Sequence, residues 1–128
     1  LRLSRGLGDV YKRQDMASAY SLSDLVICRS GALTISELTA CGKPSILIPF
    51  AAAAGDHQLK NAKTLSKKGA SIIIEEKDFD SKILLSKIND LINNDSKLSS
   101  MSIASKKLGN KDATKIIVDL IVKGNYIV

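Results

Sequence analysis

Two stretches of this 128-residue chain place side chains of the right type at the right spacing to hold an anionic ligand. In CRSGALTISELTACGKP, residues 28–44, an apolar run ends at Arg29-Ser30-Gly31 and a helix-forming segment opens at once. That segment closes at Cys41-Gly42, with Pro44 behind it. The first turn of a helix leaves amide N–H groups without intrahelical partners, and the helix dipole adds partial positive charge. Gly31 lets a ligand approach the backbone, so a phosphate can sit against the amides of Ala32, Leu33 and Thr34. Glu37 follows Thr34 by three residues, one turn deeper on the same face. A carboxylate is badly placed beside phosphates but well placed to accept two hydrogen bonds from a vicinal diol such as a ribose. A nucleoside diphosphate satisfies both elements. The second stretch, GDHQLKNA, puts His57-Gln58 at the start of another helix. Each pattern has an ordinary alternative. Thr34-Ile35-Ser36-Glu37 also fits a capping box that merely closes a helix start, and His57-Gln58 fits a polar surface pair. On spacing alone the choice stays open.

The elements that must position these residues follow a regular pattern from Asp15 onward. Asp15 can cap a short helix through residues 16–20. Leu25-Val26-Ile27-Cys28 reads as a continuous apolar strand, residues 45–49 as a second and residues 70–74 as a third. Helices are expected over 32–41, 57–68 (with Gly69 as the residue that ends it), 80–93, 97–108 and 112–123. The loop 50–56 joins the second strand to its helix. Strands apolar on both faces and alternating with helices imply an α/β fold, a Rossmann-like parallel sheet flanked by helices and joined by right-handed crossovers. Ligands of such sheets bind beyond the carboxyl ends of the strands. The Ser30-Gly31 turn and the 50–56 loop both fall at that edge and should face one crevice. Three strands are few for such a sheet, so upstream strands are expected to be missing.

Composition narrows the function classes. With 45% hydrophobic and 25% charged residues the chain reads as one soluble globular domain. Apolar runs such as Ile72-Ile73-Ile74 are far shorter than a membrane-spanning helix requires, and no secretory signal is visible at the start. Cys28 and Cys41 have neither metal-ligand spacing nor a disulfide framework; they read as small buried hydrophobes of a reducing cytoplasm. No metal or cofactor is expected. Residues 1–14, LRLSRGLGDVYKRQ, show neither helical nor strand period. The hexapeptide Asp9-Val10-Tyr11-Lys12-Arg13-Gln14 is the translation of GATGTGTATAAGAGACAG, a transposon mosaic-end adapter, so the segment reads as non-native rather than as a basic arm. Removing its four basic residues and Asp9 lowers the net charge from +6 to +3. A nucleic-acid partner then loses its main support.

The run DMASAYSLSDLVICRSGALTISELTACGKPSILIPF, followed by GDHQLKNA, closely resembles the C-terminal domain of the MurG family. These are bacterial transferases that add N-acetylglucosamine to a lipid-linked muramyl-pentapeptide. The resemblance runs from about Asp15 to near the C-terminus and is densest between Asp15 and Ala62. It implies the C-terminal half of a GT-B glycosyltransferase, truncated at its N-terminus, with residues 15–128 a partial donor-binding domain. In the family, the segment matching Ser30, Gly31, Ala32, Leu33, Thr34 and Glu37 holds the diphosphate and ribose of UDP-N-acetylglucosamine, and its glutamate takes the ribose hydroxyls. The polar pair matching His57 and Gln58 reaches the sugar hydroxyls, with Gln58 the firmer match. The resemblance thus decides the capping-box alternative in favour of a ligand. It also implies an undecaprenyl-linked acceptor bound through an N-terminal domain, and a peripheral place on the cytoplasmic face of the bacterial inner membrane.

Departures from the family pattern are equally informative. The loop FAAAAGDHQ has alanines where many relatives place proline and tyrosine. The glycine-rich acceptor loop, the glycine-serine loop of the donor domain and the part holding the family's candidate catalytic histidine are absent. His57, the chain's single histidine, is expected to bind rather than act as a base. No catalytic residue is therefore assigned, and the chain alone is expected to be inactive. Rival readings are a non-catalytic nucleotide-sugar-binding module, a separate donor subunit like that of the split dolichol-pathway transferase, or an α/β domain whose Ser30-Gly31 turn binds nothing.

Overall fold

The computed structural model describes residues 16–51 and 56–109. The element order is α1 (Met16–Leu22), β1 (Val26–Cys28), α2 (Ala32–Cys41), β2 (Ser45–Leu47), α3 (His57–Lys67), β3 (Ser71–Ile73), α4 (Ser81–Ile92) and α5 (Asp95–Leu108). A short 3-10 turn, Glu76–Asp78, precedes α4 and was not legible in the sequence. The three strands pair in parallel in the order β1-β2-β3, with Val26 opposite Ser45 and Ser45 opposite Ser71. The expected parallel α/β sheet is present. The expected helix over 112–123, the cap at Asp15, the segment 1–14 and most of the 50–56 loop lie outside the described residues.

Alternation along the strands divides the core into two layers. Val26, Cys28 and Leu47 point to one face, where they pack with Leu38 of α2 and Ala62 and Leu65 of α3. Leu25, Ile27 and Ile46 point to the other, against Leu91 of α4 and Met101 of α5. A fully buried side chain of this size contributes roughly 1.5–3 kcal/mol, so these two layers hold the sheet. Strands are shorter than read from sequence for a definable reason. The ladder runs on through the amide of Ile48, which donates to the Cys28 carbonyl at 2.9 Å. Pro49 then has no N–H to continue it. Likewise α5 begins two residues earlier than expected, because the Asn94 side chain accepts from the Lys97 amide at 3.0 Å and caps the helix there.

The C-terminal end of α2 is closed with care. Gly42 adopts φ 62°, the left-handed conformation, and hydrogen bonds from the Gly42 and Lys43 amides return to Thr39 and Leu38. This is the usual glycine-ended helix stop. Two serines of α5 bond the same turn: Ser102 Oγ donates to the Gly42 carbonyl at 2.6 Å, and Ser105 Oγ to the Leu38 carbonyl at 3.1 Å. Carbonyls that a helix end leaves unpaired are thus used to dock α5 against α2. Cys28 is buried and Cys41 half-buried, and neither forms a disulfide. Burial pushes the Cys41 thiol up, and the neighbouring Lys43 does not offset it. A thiol held protonated is a poor nucleophile, which agrees with the structural reading of Cys41.

Gly42→Ala is expected to lower stability by about 1–2 kcal/mol, since a left-handed backbone penalises any Cβ. The added Cβ would also stand 3.2 Å from Lys106 Cβ. Urea denaturation of the two proteins measures this; an unchanged midpoint would mean that α5 does not depend on this turn.

Candidate functional site

Parallel strands deliver the ends of β1 and β2 to the same edge of the sheet, so the segments after Cys28 and after Leu47 meet there. What joins them is the first turn of α3. Gln58 Oε1 accepts from the Phe50 amide at 2.8 Å and, more weakly, from the Ser30 amide at 3.4 Å. Ser30 Oγ donates to the Gln58 carbonyl at 2.7 Å, and Asn61 Nδ2 donates to the Ser30 carbonyl at 3.0 Å. Ser30 is fully buried, with its amide, carbonyl and hydroxyl all engaged by α3. Its hydroxyl is therefore committed to shaping the turn, and its place in the expected site is that of a scaffold.

The amide orientation of Gln58 follows from this. Two N–H donors converge on Oε1, which fixes that atom as the oxygen and leaves Nε2 on the other side. A Cβ built on Gly31 would meet Gln58 Nε2 at 3.8 Å. Among the described residues Nε2 has no acceptor, so its two hydrogens face the space over Gly31. With Oε1 occupied, the donor role is what this side chain has left for a ligand.

Gly31 is the N-cap of α2, with extended backbone (φ −66°, ψ 156°) and no side-chain cap. The first bond of the helix runs from the Ile35 amide to the Gly31 carbonyl at 3.0 Å. The amides of Ala32, Leu33 and Thr34 precede it and have no partner within the helix. Ala32 and Leu33 are exposed. The capping-box alternative fails here: Gly31, not Thr34, is the cap, and Thr34 lies inside the first turn.

Glu37 is more enclosed than its spacing implied, whereas His57 stands at the helix start where the sequence put it. Glu37 is only 2% exposed, and its Oε2 accepts a hydrogen bond from the Tyr20 hydroxyl of α1 at 2.5 Å. It is held within the protein beside α1 and not on an open face of α2. His57 is exposed at the first position of α3, after Asp56, whose left-handed φ of 55° is unusual for a residue other than glycine. Asn61 and Arg29 were missed in the sequence. Asn61 stands three residues after Gln58, hence on the same helix face, and that spacing was the available signal. Arg29 Nη1 pairs with Glu76 Oε1 at 2.5 Å and reaches the Ile48 carbonyl at 3.3 Å, while the guanidinium lies 5.5 Å from the Phe50 ring centre. With the Arg29 side chain 52% exposed, such a pair contributes at most about 1 kcal/mol.

A groove of about 380 Å³ opens at these strand ends, lined by Ile27, Cys28, Arg29, Ile48, Glu76 and Phe79. A larger concavity, about 710 Å³, lies at the opposite end beside Ser23, Leu25, Lys43 and Pro44. Size does not make it the anion site, because it adjoins the carbonyl end of α2, whose dipole repels negative charge. Among the described residues no cluster of His, Cys, Asp or Glu has the makings of a metal site.

With that geometry in place, comparison with known proteins is informative. Residues 9–117 match the glycosyltransferase family 28 C-terminal domain. The UDP-N-acetylglucosamine--N-acetylmuramyl-(pentapeptide) pyrophosphoryl-undecaprenol N-acetylglucosamine transferase of Anaeromyxobacter dehalogenans (strain 2CP-C) is 46% identical over 106 residues, which are 83% of this chain and 28% of that protein. The protein of the same name from Geobacter metallireducens is 46% identical over 104 residues, covering 81% of this chain and 29% of its own length. Among solved structures, the crystal structure of Acinetobacter baumannii MurG superposes with a TM-score of 0.72 at 38% identity, covering 85% of this chain and 31% of that one. The chain thus spans less than a third of the length of the relatives it matches.

The clamp generates its own test. Gln58→Ala strips the acceptor from two backbone amides and is expected to cost about 1–3 kcal/mol, whereas Gln58→Glu keeps an oxygen for both and should cost less. Thermal melts of the three proteins rank them; equal losses in both variants would remove Oε1 as the link between the loops.

Proposed function

The chain belongs to the glycosyltransferase family 28 C-terminal domain family, and on that premise we propose that it is the donor-binding part of an enzyme of peptidoglycan synthesis. The whole enzyme transfers N-acetylglucosamine from UDP-N-acetylglucosamine to an undecaprenyl-linked muramyl-pentapeptide, and is an inverting hexosyltransferase. The observation that carries this reading is the free amino end of α2, with Gly31 bare of side chain and Gln58 Nε2 beside it.

In this reading the diphosphate rests on the amides of Ala32, Leu33 and Thr34, which need no metal ion to meet its charge. As the bond from the sugar's anomeric carbon to the diphosphate oxygen breaks, negative charge grows on the departing group. Amides fixed by the fold before the reaction stabilise that charge without rearranging. Gln58 Nε2 donates to a hydroxyl of the sugar, and exposed His57 stands at the rim as a second contact. Glu37 accepts from the ribose hydroxyls. The acceptor surface and the base that takes the acceptor's proton belong to the rest of the enzyme. No helix among the described residues is long and apolar enough to cross a membrane. In this reading the enzyme attaches peripherally to the cytoplasmic face of the inner membrane, as fits a lipid-linked acceptor.

Gly31→Ala separates folding from binding. The new Cβ makes only an ordinary contact, so the melting temperature should hold, while affinity for UDP should fall about tenfold or more because the methyl group stands in the ligand's path. Titration of UDP into the 128-residue chain, followed by amide chemical shifts, measures both. Failure of the unaltered chain to bind UDP at millimolar concentration, or undiminished binding by Gly31→Ala, would sink the proposal. Glu37→Ala is likewise expected to weaken UDP binding by about 1.5–3 kcal/mol, as the loss of hydrogen bonds to a charged group should. If it instead unfolded the chain, or left affinity intact, Glu37 would be a structural residue only.

A further inference from the structure

The lysines of α3 form a stripe. Lys60, Lys63 and Lys67 follow one another at three and four residues, which places them on one face of the helix. That face is the outward one, since Ala62 and Leu65 are the residues that α3 buries. Lys68 ends the helix and, with Ser100, Ile103, Ala104, Lys107 and Leu108 of α5, lines a groove of about 330 Å³. Lysines of the two helices therefore share one surface. All five are exposed, and among the described residues none of them is paired with a carboxylate. No acidic residue occurs between Asp56 and Glu75, nor between Asp95 and Gly109. Beside these charges Ile103 is 56% exposed.

Stability does not account for this arrangement. A cation near the carbonyl end of a helix is favourable, which covers Lys67 and Lys107. Lys60 stands near the amino end of α3, where the dipole disfavours it, and Lys63 and Lys67 are like charges four residues apart, which repel. We infer that this face of α3 and α5 rests on the surface of a bilayer with anionic headgroups. Ammonium groups on four-carbon stems reach the phosphates, while Ile103 enters the edge of the acyl layer. Each lysine near such a surface adds to the attraction. A nucleic acid fits less well, because the patch holds no arginine and no aromatic ring to take a base. The choice of a bilayer rests on the reading that the whole enzyme acts on a lipid-linked acceptor. At 3.6 residues per turn Gln58 falls on the opposite side of α3 from the stripe, so the patch is separate from the donor site.

The test is flotation of the 128-residue chain with vesicles, without UDP or acceptor, so that its failure leaves the donor-site reading standing. Vesicles of phosphatidylglycerol and phosphatidylcholine in equal parts should carry the chain. Vesicles of phosphatidylcholine alone should carry it about tenfold less, and added salt should release it from the anionic ones. Lys60→Gln, Lys63→Gln, Lys67→Gln and Lys107→Gln combined should lower partition about tenfold or more, with the melting temperature unchanged. Ile103→Ser should lower it severalfold. Replacing Arg2, Arg5, Lys12 and Arg13 by glutamine is the control for the basic start of the chain, and should leave most of the binding in place. The inference is overturned if the chain ignores anionic vesicles, if the lysine variant binds as well as the unaltered chain, or if the control variant alone abolishes binding. It falls equally if Ile103→Ser has no effect, or if an oligonucleotide of dT strips the chain from the vesicles at equal charge; the face is then a general polyanion surface. Should the fourfold variant fold poorly, Lys60→Gln with Lys63→Gln replaces it. A severalfold loss then supports the bilayer contact, and an unchanged partition overturns it.

Discussion

Saturation of Ser30 by α3 is the interaction on which the carboxyl edge of the sheet depends. A residue buried to 0% exposure at a sharp strand-to-helix turn brings three polar groups out of water. Each would cost about 1–3 kcal/mol if left unpaired. Gln58 and Asn61 meet all three from one face of α3, and Gln58 Oε1 meets the Phe50 amide as well. The turn before α2, the segment after β2 and the start of α3 are therefore one unit. The direction of Gln58 Nε2 is a by-product of that satisfaction, and so is the bare surface over Gly31.

The two ends of α2 are treated in opposite ways. At its carbonyl end a left-handed Gly42 and two serine hydroxyls of α5 take up the exposed groups. At its amide end there is no side-chain cap, and Ala32 and Leu33 lie exposed. A fold that closes one end so fully and leaves the other open has its partial positive charge available for a ligand. In the proposed reading, helix and dipole serve stability at one end and recognition at the other. In the proposed enzyme the open end meets a diphosphate whose charge rises during reaction, which is where a fixed dipole acts most strongly.

Glu37 shows how far a spacing argument reaches. Its distance from Thr34 was compatible with a capping box and with a ribose ligand, since both need only a carboxylate one turn into a helix. The capping box required Thr34 to be the boundary residue, and the boundary lies three residues earlier at Gly31. Gly31, which offers no side-chain acceptor, is the boundary, as the expected helix over 32–41 required. What Glu37 bonds instead is Tyr20, part of the stretch DMASAY that the family resemblance covers but to which sequence reasoning assigned no role.

Local pattern was enough for the elements and their order. Apolar runs bounded by Ser30-Gly31, Cys41-Gly42 and Gly69 gave three strands and the helices between them, because glycine punctuation and hydrophobic period act within a few residues. The same reach singled out Gly31 and the amides after it as a candidate anion site, since an uncapped helix start is a property of consecutive residues. Element ends were less legible: β2 is limited by Pro49 and α5 is drawn back by Asn94, effects that depend on which single group finds a partner. What only the tertiary structure decided is how side chains far apart in sequence spend their hydrogen bonds. Gln58 lies 28 residues from Ser30, Glu37 lies 17 from Tyr20, and Ser105 lies 67 from Leu38. Those pairings follow from how parallel strands and their crossover helices pack, and a one-dimensional pattern does not carry that information.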